Sequence, residues 1–180
     1  LWYHDHTLDF TGLNVIMGLA AFYIVRDQTE KDLPLPRGPF EVPLVIQDRR
    51  FDANNQFFYD PFDHDGFLGD KFLVNGAIQP YFEVAPRKYR FRILNGSNAR
   101  FYELFLSNLQ SFIFLGAEGG MLAAPIELQS IRLGSAERAD VIIDFSKVPF
   151  GSSVFLNNCL QQSDGRKPDR VDLSSPTPLL

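Results

Sequence analysis

The sequence holds a single cysteine, Cys159, which excludes an internal disulfide and any zinc or iron–sulfur site built from several thiolates. It leaves the redox compartment open, because a partner thiol can lie outside the chain. No hydrophobic run approaches the ~18 apolar residues of a membrane helix, so no membrane span is expected. Net charge is −5 and no Lys/Arg cluster interleaves with aromatics, which makes nucleic acid and anionic membrane surfaces poor partners. There is no internal repeat and no low-complexity tract, and the lack of a recognisable signal peptide carries little weight. The first residue is Leu1 rather than Met, inside an apolar strand-like segment, and the expectation is that the natural N-terminus lies upstream.

What is present suits an all-β protein. Hydrophobic residues make up 45% of 180, enough for one complete domain and part of another. The 18 Phe favour strands that bury one face. Leu19–Val25, apolar and partly β-branched, reads as a buried strand that ends one domain; its length alone leaves a helix open. Residues 28–39, with Pro34, Pro36, Gly38 and Pro39, read as a linker without regular structure. Strands are then expected at Glu41–Asp48, with Pro43 at an edge or irregular position, and at Gln56–Tyr59, Lys71–Asn75, Tyr81–Val84, Tyr89–Leu94, Phe101–Leu106, Phe112–Leu115, Glu127–Leu133, Arg138–Phe145 and Ser153–Asn157. In Tyr89–Leu94, aromatic and aliphatic residues alternate with Arg90 and Arg92, predicting one buried and one solvated face. Gly116–Pro125 reads as a Gly/Ala-rich loop, and the polar, Pro-rich stretch from Gln161 as a linker or disordered end. Short strands with turn signals every ~8–12 residues define a Greek-key β-sandwich or barrel.

The one chemical motif is at the start, Trp2-Tyr3-His4-Asp5-His6. On a strand, residues two apart project from the same face about 6.5 Å apart, so His4 and His6 can serve one metal or two neighbouring metals. Imidazole suits copper, zinc, iron or nickel. Each ligating ring needs an acceptor for its other N–H, and with Asp5 on the opposite face that acceptor is expected from elsewhere in the protein. A bare His-x-His is short, and two polar residues at a frayed terminus are the commoner explanation of such a pattern.

Context changes that balance. The opening motif, Leu13-Asn14-Val15, Gly18–Asp27, Leu73-Val74-Asn75-Gly76, Pro80–Val84, Pro86–Asn98 and Ala136-Glu137-Arg138-Ala139-Asp140 together resemble the multicopper oxidases, above all the branch of spore-coat laccases, bilirubin oxidases and phenoxazinone synthases. The resemblance covers roughly residues 1 to 158. It implies a cupredoxin-like fold, with residues 1–27 ending a first cupredoxin-like domain, 28–39 a linker, 40–158 the middle domain and 159–180 a linker or tail. It implies copper as cofactor, with His4 and His6 each binding one copper of a type 3 pair in a trinuclear cluster and the remaining ligands in first- and third-domain segments outside this chain. It also implies one-electron oxidation of phenolic or related aromatic substrates and reduction of dioxygen to water by the whole enzyme. The chain alone is expected to be inactive. A copper-free relative keeping the fold as a structural or interaction domain is the alternative. A metal-oxidising member would carry Met-rich insertions, and only Met17 and Met121 are present. The resemblance assigns no compartment, since secreted, periplasmic and spore-coat settings all occur in such a family.

Three other features invite a functional reading and favour a plainer one. His64, in Asp63-His64-Asp65-Gly66, reads as a solvated loop residue rather than a stray metal contact. Glu137-Arg138 suits an Arg–carboxylate structural contact at a strand start, and Arg87–Arg92 a solvated strand face. Cys159, flanked by Asn158 and Leu160 with no neighbouring histidine, is not a copper cysteine; by the resemblance it is the counterpart of a structural cysteine whose partner lies elsewhere.

Overall fold

A computed structural model describes all 180 residues. Aromatic and β-branched alternation produces two sheets that face each other. The larger, eight-stranded sheet runs β10 (Gly120–Leu128), β9 (Phe112–Ala117), β12 (Arg138–Asp144), β7 (Lys88–Asn95), β3 (Glu41–Phe51), β5 (Lys71–Val74) and β6 (Ala77–Ile78), with β4 (Phe57–Phe58) also on β3. The smaller contains β11 (Ile131–Leu133), β8 (Tyr102–Leu106), β13 (Leu156–Asn158) and β16 (Thr177–Pro178). Tyr89, Phe91, Ile93, Val141 and Ile143 from one sheet meet Tyr102, Leu104, Leu106, Ile131 and Leu156 from the other in a common core of 18 buried residues. Two-sheet packing of this kind buries the inward residue of every pair along each strand.

Turn chemistry sets the register where it was expected. Asn75 and Gly76 both take positive φ (50° and 82°) between β5 and β6, the geometry of a type I′ hairpin. Pro43 sits where β3 is bonded in parallel to β7 on one side only; on the other, the Asn75 side chain replaces a strand, accepting from Val45 N (2.8 Å) and donating to Pro43 O (2.9 Å).

Several expectations are overturned. Gly116–Pro125 is not a loop: Glu118 and Gly119, both at positive φ, make a two-residue turn joining β9 to the nine-residue β10, with a register shift between Met121 and Ile126. Tyr81–Val84, bracketed by Pro80 and Pro86, has no ladder partner; Phe82 is held instead by edge-on contact with Tyr89 at 5.9 Å. The linker contains a short helix, α2 (Gln28–Asp32), because Asp27 caps it by accepting from Glu30 N at 2.7 Å. The final residues are not a loose end. β14 (Leu160–Gln161) pairs with β15 (Arg170–Val171), β16 joins the smaller sheet, and Leu179 is wholly buried in the core.

Trp2–Phe22 form a small ribbon and helix tied to the sandwich. β1 (Trp2–His4) pairs with β2 (Ala20–Phe22), joined by helix α1 (Thr11–Ile16). The expected buried strand Leu19–Val25 shrinks to three half-buried residues, and Ile24 and Val25 are exposed. A two-stranded ribbon with no second layer over it cannot bury both faces.

Candidate metal-binding site

β1 ends at His4, and the chain then turns through Asp5, His6 and Thr7 into α1. His6 is therefore off the strand, yet its ring lies on that of His4, with centroids 5.6 Å apart and planes 29° apart. Trp2 stacks on the other side of His4 at 4.6 Å. His4 is half-buried and His6 exposed.

The orienting acceptor for His4 is not elsewhere in the protein, as the sequence had suggested, but one residue away. His4 Nδ1 lies 2.6 Å from the backbone oxygen of Asp5. A carbonyl oxygen can only accept, so Nδ1 carries the hydrogen and Nε2 keeps its lone pair for a metal. Neither ring has a side-chain hydrogen-bond partner.

The Asp5 carboxylate is itself clamped. It accepts from Asn14 Nδ2 (2.8 Å), Thr7 N (3.1 Å) and Thr7 Oγ1 (3.0 Å). The Asn14 hydrogen bond, then those from Thr7, hold this carboxyl below the usual aspartate range. Asn14 sits on α1, and α1 is tied to the sandwich. Arg49 Nη2 donates to Val15 O at 2.9 Å, and Asn98 Nδ2 to Gly12 O at 3.0 Å. A Cβ on Gly12 would stand 2.4 Å from Tyr59 Oη, so any larger residue there displaces that tyrosine. Sequence spacing gave no hint of Asn14 or Arg49, which lie 9 and 34 residues from their contacts.

Nowhere in the chain do three His, Cys, Asp or Glu side chains converge as a metal site would require. The donor set at the N-terminal turn is two imidazoles. That chemistry fits part of a copper site and falls short of a complete one.

The remaining candidates are structural. His64 is exposed in its acidic loop, where neighbouring Asp65 pairs with Arg166. Glu137 Oε2 accepts from Gly134 N at 2.6 Å, closing the turn before β12, and Arg138, at the start of β12, pairs with Glu118 in the β9–β10 turn. Cys159 is buried as a free thiol. Burial first, then the nearby charges of Asp172 and Glu103, push its pKa up, the reverse of an activated or metal-ready thiol. No helix of the chain is long and apolar enough to cross a membrane.

The multicopper oxidase family model matches residues 47–169. A laccase of Bacillus stratosphericus is 48% identical over 172 residues, 88% of this chain and 34% of the laccase. The cell division protein FtsP of Xenorhabdus nematophila is 42% identical over 149 residues, 82% of this chain and 32% of FtsP. Among solved structures, the McoA multicopper oxidase of the hyperthermophile Aquifex aeolicus superposes with a TM-score of 0.82 at 41% identity, over 87% of this chain and 36% of that one. The chain thus spans about a third of the length of the curated relatives it matches. Such neighbours make the sandwich cupredoxin-like, and a family match over most of it makes the chain a member of the multicopper oxidases.

Proposed function

We propose that this chain is part of a laccase-like multicopper oxidase and supplies two copper ligands, His4 and His6, together with the middle scaffold domain. In this reading residues 1–27 end a first cupredoxin-like domain and 40–158 form the middle one. The His4–His6 pair carries the proposal: two stacked imidazoles, one with its Nδ1 hydrogen already committed to a carbonyl and Nε2 free. Each histidine would bind one copper of a type 3 pair, the other ligands being supplied by segments outside these residues. When bound, copper supplies one-electron oxidation of an aromatic or phenolic reductant and reduction of dioxygen to water.

The chain's own residues do three things in this scheme. His4 presents Nε2; the Asp5 carbonyl holds the Nδ1 hydrogen on the opposite side of the ring; Trp2 covers one face of the imidazole and limits water there. The sandwich gives the turn a rigid base through Arg49 and Asn98.

Copper binding tests the reading. Titration of the chain with Cu(II) is expected to show binding that His4→Ala and His6→Ala each weaken strongly, while His64→Ala leaves it unchanged. The same copper-loaded chain should show neither blue thiolate–copper absorbance nor oxidase activity, because two imidazoles hold no trinuclear cluster and Cys159 has no histidine beside it. Stoichiometric blue copper with activity would overturn this assignment. A second reading, a cupredoxin-like structural or interaction domain without copper, is favoured by one observation, the 42% identity to a protein named for cell division. Copper binding indifferent to both histidine substitutions would select it.

A further inference from the structure

Asp5 stands between the two imidazoles, yet its side chain touches neither in a hydrogen bond. Its backbone does the contact, through the carbonyl that accepts from His4 Nδ1. A peptide carbonyl one residue away from a ring turns aside with a modest rotation of the intervening backbone, so something must hold it. Two restraints converge on Asp5. Its N–H donates to Leu19 O at 3.2 Å, extending the β1–β2 ladder by one bond, and its carboxylate receives Thr7 and Asn14. The next residue after Asn14, Val15, takes the hydrogen bond from Arg49, whose side chain is almost wholly buried and whose Nη1 also donates to Asp48 O at 2.9 Å. An unbroken series of contacts therefore runs from the buried half of β3, through α1, to the imidazole.

We infer that Asp5 and Asn14 are positioning residues for His4, locking the ring in the Nδ1–H tautomer with Nε2 presented, and that Arg49 anchors this arrangement in the sandwich. The consequence for copper rests on the reading of His4 as a ligand; the consequence for the tautomer does not. An unrestrained neutral imidazole exchanges its hydrogen between two nitrogens, and only one of the two forms offers Nε2 to a metal. Partners one shell out from a metal ligand typically change metal affinity about 10–100-fold when removed. Here the partner is a backbone oxygen, so it can be altered only through what holds it, namely the carboxylate of Asp5 and the amide of Asn14.

Two-bond proton–nitrogen correlation spectra of the metal-free chain, recorded at mildly alkaline pH, read the tautomer of each histidine directly. Wild type is expected to show His4 as Nδ1–H. Asp5→Ala and Asn14→Ala are each expected to move His4 toward Nε2–H while the exposed His64 stays as it was. The exchanged pair Asp5→Asn with Asn14→Asp reverses donor and acceptor in the contact to residue 14 but turns a donor toward Thr7 N, which shares Asp5 Oδ2 with Asn14, so it should return His4 toward Nδ1–H in part and further than either single variant, a partial rescue that mere loosening of the turn does not predict. If a single variant loses its fold by circular dichroism, Thr7→Val, which removes only one hydroxyl donor, replaces it with the same expected direction. A wild-type His4 in the Nε2–H form, or single variants with an unchanged tautomer, would overturn the positioning role. Cu(II) titration of the same proteins separates the two ideas. A tautomer that shifts together with about tenfold or weaker copper binding supports both. A tautomer that shifts while copper binding ignores His4→Ala upholds the positioning role and removes the ligand assignment.

Discussion

Glu30 of α2 reaches into the sandwich and meets Arg90 of β7 at 2.7 Å, with the Arg90 side chain only 1% exposed. Around this contact three guanidiniums face three carboxylates. Arg90 also binds Asp140 through Nε (2.8 Å), Arg92 binds Glu41 through Nε (2.7 Å), and Arg26 reaches Glu41 at 2.7 Å. The arginine face of β7 is thus neither solvated, as strand alternation suggested, nor an anion site. It is roofed by α2 and neutralised. Removing one partner from a buried pair leaves an uncompensated charge and costs about 3–5 kcal/mol when no other partner exists.

Glu30→Ala leaves Arg90 its Asp140 contact, so a smaller loss of about 1–3 kcal/mol is expected. Asp140→Ala takes a partner from both Arg90 and Arg92 but leaves each of them Glu30 and Glu41, so a comparable loss of about 1–3 kcal/mol is expected. Urea denaturation measures both. A Glu30→Ala midpoint equal to wild type would mean that α2 is undocked in solution.

Glu41 ties the same cluster to pH. Burial alone would raise its pKa, but hydrogen bonds from Arg26 and Arg92 outweigh that and hold it below the ordinary value of 4.5. The folded state therefore binds this proton less tightly than the unfolded chain does. Stability from Glu41 is complete above 4.5 and is lost as pH falls through the lower, folded value. Comparing wild type with Glu41→Gln from about pH 7 to about pH 3 isolates the effect, and the advantage of wild type should shrink toward the acid end. An advantage that grows there would reverse the sign argued here.

Strands with a local signal were legible in the sequence. The Asn75-Gly76 turn and the alternating Tyr89, Phe91 and Ile93 read correctly because the instruction lies within a few residues. What was not legible depended on distant partners. Arg90 and Arg92 resemble any solvated stripe until Glu30, some sixty positions earlier, is folded over them. The Gly116–Pro125 run hid a hairpin, since its turn pair is Glu118-Gly119 rather than the familiar Asn-Gly. At the candidate site, the two imidazoles do lie together, though not through the strand geometry their spacing suggested, since β1 ends at His4. The carbonyl that orients His4 was not legible, because backbone acceptors leave no mark in a sequence.

Cys159 offers a check on the idea that the chain's only thiol is structural. Its backbone is pinned on both sides, its N–H donating to Glu103 O (2.9 Å) and its carbonyl accepting from Asp172 N (2.7 Å). With the side chain 2% exposed and its pKa raised, reaction with a disulfide reagent at about pH 8 should be orders of magnitude slower in the folded chain than in urea. Cys159→Ala should leave Cu(II) binding unchanged. Rapid labelling of the native protein would show that this part of the fold opens readily.

The docking of the C-terminal residues can be measured at one side chain. Leu179 has no exposed surface and belongs to the central core, and its N–H donates to Leu156 O at 2.8 Å. Pro178 O receives Gln79 Nε2 at 2.8 Å, which ties the end of the chain to the turn after β6. Leu179→Ala removes buried methyls from a site closed by both sheets, and a loss of about 2–5 kcal/mol is expected. Leu173, in the same segment but 57% exposed, is the control, and Leu173→Ala should stay within about 0.5 kcal/mol of wild type. The contrast separates a strand that completes the smaller sheet from a linker that merely lies against it: equal, small effects at both positions would restore the linker reading, whereas a large loss at Leu179 alone makes these residues part of the sandwich core.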